Sequence, residues 1–247
     1  MGGGVYNQGV ISALAALDTK LLDPNELPRY TVPEAAHYLR MSENTLKSWI
    51  SGRSYPVVGG EKHWEGLIER PDEGDSRLSF SNLIEAHVLF ALRKQYRVKM
   101  REVRTALDYA REQLGVGRVL LSPQLRVMRG NMFLERLNEL INVGKGGQGA
   151  MPEILGAYLE RIEWDLAGLP ARIFPITRVD PLESPRILAI DPKVAFGRPI
   201  VERKAIKTSA ITERFLAGES IADLADDYDL KAFEVEEAIR YELPDAA

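Results

Sequence analysis

The chain has 247 residues, 45% of them hydrophobic and 28% charged, which is enough to build two or three small globular domains. It contains no cysteine and only three histidines, so disulfides, thiolate metal sites and a cysteine nucleophile are excluded and a histidine metal cluster is disfavoured. The formal net charge is -4. No apolar run approaches the ~20 residues that span a bilayer, and the N-terminus lacks a signal-peptide pattern, so a cytoplasmic location is expected.

In chain order, Val10, Leu14, Leu17 and Leu21 repeat at helical spacing and predict an arm helix from Val10 to Leu22. Thr31, Pro33 and Glu34 then form an N-terminal helix signature with a capping box, and Ala35, Ala36 and Leu39 supply a buried face. Ser42 opens a second helix with Leu46, Trp49 and Ile50 inward, and Gly52 closes it. Two helices joined by so short a turn make a helix-turn-helix, whose second helix can enter a DNA major groove. The face left to solvent or DNA carries Glu43, Asn44, Lys47 and Ser48.

Leu67–Arg70 and Arg77–Phe80 alternate around a Pro/Asp/Gly loop and predict a β-hairpin, the position of a wing. Helices follow from Ser81 to Gln95 and from Lys99 to Leu114. Their junction holds Arg93, Lys94, Arg97, Lys99, Arg101 and Arg104 against Glu102 alone. This basic run suits phosphate, whose neutralisation supplies most non-specific DNA affinity.

Beyond Gly115 the pattern predicts a small α+β element. Its strands lie at Val119–Leu121, Met132–Leu134, Leu140–Val143 and Ala171–Ile176, with a helix from Pro152 to Ile162. Tyr158 and Trp164 are read as core. Gly144–Gly149 lacks the Gly-Lys-Ser/Thr order of a P-loop and reads as a turn. Asp180–Pro185 is a linker candidate, followed by extended pieces at Ile187–Ile190 and Phe196–Val201.

Thr208 or Ser209 caps a helix through Leu216, Ser220 caps the next with Asp223 in the capping-box position, and Ala232–Leu243 is the last. Glu219–Arg240 thereby forms a second helix-turn-helix. From Glu219 to Glu242, nine acids face two bases, so this copy repels phosphate and suits a protein partner. On that charge alone, DNA recognition is expected not to need it.

The elements Tyr30-Thr-Val, Glu34, Ala36, Ser42, Thr45-Leu46, Trp49 and Leu78-Ser-Phe80 resemble the MerR-type winged helix-turn-helix family. Where that family has glycine in the turn, this chain has Arg40, and a non-glycine residue at positive φ costs on the order of 1 kcal/mol. The run Asp191-Pro192, Gly197-Arg-Pro-Ile200, Ala217-Gly-Glu-Ser-Ile221, Asp227-Tyr228 and Glu234-Val235 resembles the small domain of unknown function of bacterial antitoxins.

Together the two resemble VapB-type antitoxins. That resemblance implies operon repression and neutralisation of a PIN-domain ribonuclease toxin, with operator duplex DNA and the toxin as partners, a homodimer, and no cofactor or membrane. The fold class expected is mainly α with small β elements. It divides into an arm (1–29), a MerR-like winged helix-turn-helix (30–115), a small α+β element (116–182) and a C-terminal three-helix helix-turn-helix domain (183–247).

Candidate DNA contacts are Asn44, Lys47, Ser48, Arg53, Arg77, Arg93, Lys94, Arg97 and Arg101. Candidate toxin contacts are Arg198, Arg203, Lys204 and Lys207 with Phe196 and Phe233. No nucleophile–base pair, metal set or cofactor loop is present, so no catalytic or metal residue is assigned. The alternative is a ligand-responsive MerR-type regulator without a toxin, its sensor in 116–182.

Overall fold

The computed structural model describes residues 23–57, 59–96, 100–114, 118–121 and 157–243. The expected arm helix from Val10, the strands at 132–134 and 140–143, the loop 144–149 and Arg97 lie outside them. The architecture is mixed helical with small antiparallel sheets.

Helix α1 (Val32–Tyr38) starts as its sequence dictates. Thr31 accepts from the Glu34 amide and Glu34 accepts from the Thr31 amide, closing the capping box around Pro33. Helix α2 (Glu43–Ser51) buries Leu46 and Trp49 and ends at Gly52. That residue must be glycine twice over. Its φ is 75°, and a Cβ there would lie 2.0 Å from the Trp64 carbonyl oxygen.

The hairpin that follows is not where alternation placed it. Strands β1 (Arg53–Val57) and β2 (Gly60–Trp64) pair antiparallel, directly after α2. Leu67–Arg70 and Arg77–Phe80 form no hairpin because their backbone groups are spent elsewhere. The Leu67 and Ile68 amides donate to the Trp49 carbonyl near the end of α2, and Leu78 pairs with Tyr30 in an isolated antiparallel bridge. The Asp72–Arg77 turn remains, held by the Asp72 and Asp75 side chains accepting from the Gly74 and Arg77 amides.

Helix α3 (Phe80–Tyr96) is the central element, with Leu83, Ile84, Val88, Leu89 and Leu92 essentially inaccessible. Its buried acid Glu85 is matched by Arg118, which also grips Glu26. Helix α4 (Met100–Leu114) follows. Val119–Leu121 is a 3-10 turn rather than a strand, with Val119 and Leu120 buried.

Helical structure at 157–159 stops before the expected Ile162, which instead opens β3 (Ile162–Trp164), paired with β4 (Pro170–Ile173). Trp164 therefore sits on a strand. The linker candidate Asp180–Pro185 is packed down. The buried Arg161 guanidinium donates to the carbonyls of Pro181, Ser184 and Pro185.

Strands β5 (Leu188–Ala189), β6 (Ile200–Val201) and β7 (Ile206–Lys207) make a three-stranded antiparallel sheet. An Ile173–Ile190 bridge ties β4 to the start of this region. Helices α5 (Thr208–Leu216), α6 (Ile221–Asp227) and α7 (Ala232–Glu242) then pack on one another. Ser220 caps α6 through the Asp223 amide as expected. Thr208 does not cap α5, because its hydroxyl is turned to the Pro199 carbonyl and the Glu242 carboxylate. One continuous apolar core runs from Tyr30 and Leu46 through α3 to Ile211, Val235 and Tyr241.

Candidate nucleic-acid interface

Burial of Leu46 and Trp49 turns the opposite face of α2 to solvent. Glu43, Asn44 and Lys47 are exposed there, and Lys47 Nζ lies 3.0 Å from a Glu43 oxygen. An exposed pair of this kind is worth little, so Lys47 can exchange Glu43 for a phosphate or a base edge at small cost. Ser48 is half-buried, and its hydroxyl donates to the Thr45 carbonyl at 2.7 Å. Arg93, exposed on α3, reaches Thr45 Oγ1 at 3.5 Å, which brings the start of the basic run beside α2. Lys94 lies on α3 and Arg101 on α4.

Arg53 begins β1 and is exposed, so the hairpin extends the same basic edge. Arg77 sits on the Asp72–Arg77 turn and forks onto Asp75 at 2.6 Å; its hydrogen bonds hold the Asp75 carboxyl below the usual carboxylate range. The sequence reading missed the second strand. Lys62 Nζ lies 4.9 Å and Arg104 Cζ 5.5 Å from the centre of the Trp64 ring, so two cations share one indole. Arg104 also donates to the Glu65 carbonyl at 2.6 Å, linking α4 to the hairpin. Gly59-Gly60 between short polar strands was the available signal.

The residues expected to meet a toxin are dispersed. Arg198 is half-buried against Glu34 (2.5 Å) and the Tyr38 hydroxyl (3.1 Å). Arg203 grips Glu234 at 3.0 Å, and Lys204 pairs with Asp229. Lys207 is exposed at the start of α5. Phe196 is 83% and Phe233 49% exposed, and Phe196 stands in a left-handed stretch with φ of 48°, 57° and 74° at Ala195, Phe196 and Gly197.

The end of α7 meets α1 and its turn directly. The Tyr241 hydroxyl near the end of α7 donates to the Tyr38 carbonyl at the end of α1, at 2.9 Å. Arg40, in the turn after α1, donates to the Arg240 carbonyl at 2.8 Å and lies over the Tyr241 ring. His37 contacts Glu242 at 3.4 Å. Burial alone would raise the Glu242 carboxyl, but hydrogen bonds from His37 and Thr208 outweigh it and hold the group below its ordinary range. Arg29 donates to the Pro192 carbonyl on the other edge of the seam.

His87 is buried and bonded to the Tyr158 carbonyl. Desolvation pushes its pKa down to about 4, so it is a neutral core imidazole. Among the described residues no group of His, Asp or Glu is arranged to hold a metal, and no helix is long and apolar enough to cross a membrane.

Residues 28–107 match the family described as "Putative DNA-binding HTH domain", and residues 188–241 match "Protein of unknown function (DUF433)". Over 232 residues the chain is 27% identical to "Putative antitoxin VapB45" of Mycobacterium tuberculosis, covering 87% of this chain and 93% of that one. The crystal structure of Rv2018 from Mycobacterium tuberculosis shares the fold, with a TM-score of 0.64 and 24% identity over 86% of this chain and 98% of that chain. The resemblance to VapB-type antitoxins is the one these relatives carry.

Proposed function

We propose that the chain is a VapB-type antitoxin that represses its own operon through α2 and neutralises a PIN-domain ribonuclease through its C-terminal region. The observation that carries this is similarity along nearly the whole of both chains to a relative named as an antitoxin, with a DNA-binding helix-turn-helix match over 28–107. The charge distribution supports it, since cations gather in the run from Arg93 to Arg104 whereas acids dominate Glu219–Glu242.

In this reading the β1–β2 hairpin is the wing and α5–α7 form the C-terminal three-helix domain. Asn44 and Lys47 reach base edges from α2. Ser48, Arg53, Arg77, Arg93, Lys94, Arg97 and Arg101 serve the phosphates, with a homodimer presenting two such faces to an operator. Lys62 and Arg104 join them from the wing. On the toxin side, Phe196 and Phe233 are exposed apolar anchors, and Lys207 at the end of β7 adds an exposed cation. Arg203 and Lys204 can trade Glu234 and Asp229 for an acidic cluster on the toxin, and Arg198 does so only by leaving Glu34.

The test is co-expression of the chain with the reading frame beside its own gene. The neighbouring frame alone should arrest growth and degrade RNA, and the intact chain should relieve both. A neighbour that is harmless, or whose toxicity the chain does not relieve, removes the antitoxin reading. Phe196→Ala with Phe233→Ala should weaken relief while leaving DNA binding intact.

A further inference from the structure

The first helix-turn-helix is not completed by its own residues. Its turn, Leu39–Arg40–Met41, fixes the angle between α1 and α2, and Arg40 holds a left-handed φ of 49°. Locally the turn is closed by the Arg40 amide on the His37 carbonyl and the Met41 amide on the Ala36 carbonyl. The rest comes from 200 residues away. The last carbonyls of a helix have no partner within it, and at α7 two of them, on Arg240 and Tyr241, accept from the Arg40 guanidinium. A cation at a helix C-terminus is favoured by the helix dipole. In return the Tyr241 hydroxyl satisfies the Tyr38 carbonyl, an orphan of α1. Each helix end is capped by the other's side chain.

We infer that the C-terminal region is part of the DNA-reading unit, with Arg40 a positioning residue that sets the orientation of α2 through the end of α7. This rests on the reading of α2 as the DNA-facing helix. Helix α2 buries Leu46 and Trp49 and is held at its far end by the Leu67 and Ile68 amides on the Trp49 carbonyl, so the turn sets the direction of its near end, where Glu43, Asn44 and Lys47 stand. Base contacts depend on that direction, while phosphate contacts from flexible lysines and arginines tolerate small rotations. Loosening Arg40 therefore degrades discrimination between sequences more than it degrades affinity for DNA in general. The charge-based expectation that DNA recognition does not need the C-terminal region runs opposite to this inference.

The experiment uses the full chain and a duplex enriched on it from a random-sequence pool, with an unselected duplex as reference. Affinities are measured by fluorescence anisotropy for the parent, Arg40→Gly and Tyr241→Phe. Glycine is the residue the turn's φ favours, so a purely local role for Arg40 leaves Arg40→Gly equal to the parent or better. The inference expects the ratio of selected to unselected affinity to fall about 5-fold in Arg40→Gly, and less in Tyr241→Phe, with unselected affinity and salt slope unchanged.

A simple loss of folded protein would lower both affinities together and leave the ratio intact, which overturns the inference. So does a parent-like ratio in both variants. Failure of the intact chain to enrich any duplex removes the DNA-binding reading itself, and the inference with it.

Discussion

The helix pairs α1–α2 and α6–α7 share their local chemistry and differ in what their second helices bury. Both have a three-residue turn whose middle residue is left-handed without being glycine, Arg40 at φ 49° and Asp229 at φ 48°. Both launch their first helix from a hydroxyl cap, Thr31 and Ser220. The second helices differ. Helix α2 buries two side chains and shows a polar face, whereas α7 buries Glu234, Val235, Glu237, Ala238, Ile239 and Tyr241. The face α7 leaves exposed carries Ala232, Phe233, Glu236 and Arg240, where that of α2 carries Glu43, Asn44 and Lys47, so the motif alone does not specify a reader. What specifies it is which face the rest of the chain leaves uncovered.

The largest way to break this comparison is to end the chain at Pro185, which strips α7 and β5–β7 from α1. Tyr30 and Tyr38, both buried against the removed part, become exposed. At the usual value of burying a large side chain, the first helix-turn-helix should lose about 3–6 kcal/mol. Denaturant unfolding of the shortened and full chains reads this directly, and equal midpoints would show that the first motif stands alone.

A smaller break lies inside α7. Glu237 is 2% exposed and accepts from Thr177 and Arg178, with Arg240 at 3.5 Å. Glu237→Ala leaves those donors without their acceptor and should cost about 2–4 kcal/mol by chemical denaturation. The exposed acid one residue earlier, Glu236, should cost almost nothing on replacement by alanine.

The comparison sharpens on DNA. Lys47→Ala should weaken binding by about 1–3 kcal/mol if Lys47 reads a base, or lower the salt slope by about one if it touches phosphate. Glu236→Ala, on the exposed side of α7, should leave both unchanged. Equal effects of the two variants would erase the distinction between the helices.

The smallest effect is in acid. The Glu234 carboxyl is held below its ordinary 4.5 by the Arg203 hydrogen bond first, then the Lys231 amide, against the upward push of burial. A depressed folded value contributes stability that is complete above the ordinary value and is lost as pH falls below it. Glu234→Gln should flatten the decline in unfolding midpoint below pH 4.5. An unchanged acid slope would show that Arg203 contributes nothing to α7.

The parts legible in the sequence were those fixed by neighbours in the chain. Thr31 with Glu34, Ser220 with Asp223, and Gly52 announced helix ends because a cap is satisfied within three residues. The hairpin was misplaced because alternation in Leu67–Arg70 and Arg77–Phe80 is a side-chain pattern, while strand pairing depends on where the amides go, and these went to Trp49 and Tyr30. Glu234 and Glu237 looked like solvated acids until Arg203, Thr177 and Arg178 were placed beside them. Of the candidate DNA residues, those on α2 followed from helical spacing. Lys62 and Arg104 became visible only when the hairpin brought Trp64 between them. No local pattern announces the meeting of Arg40 with Arg240.

Gly197 offers a handle for genetics. It holds φ 74°, and a Cβ on it would sit 2.2 Å from the Tyr30 hydroxyl, which is buried without a hydrogen-bond partner among the described residues. A single added methyl at this point is a wedge between the turn that carries Phe196 and the buried Tyr30 ring. Gly197→Ala is thus a natural choice for a heat-sensitive allele, intact when cool and sprung when warm, with which the protein can be withdrawn from living cells at a chosen moment.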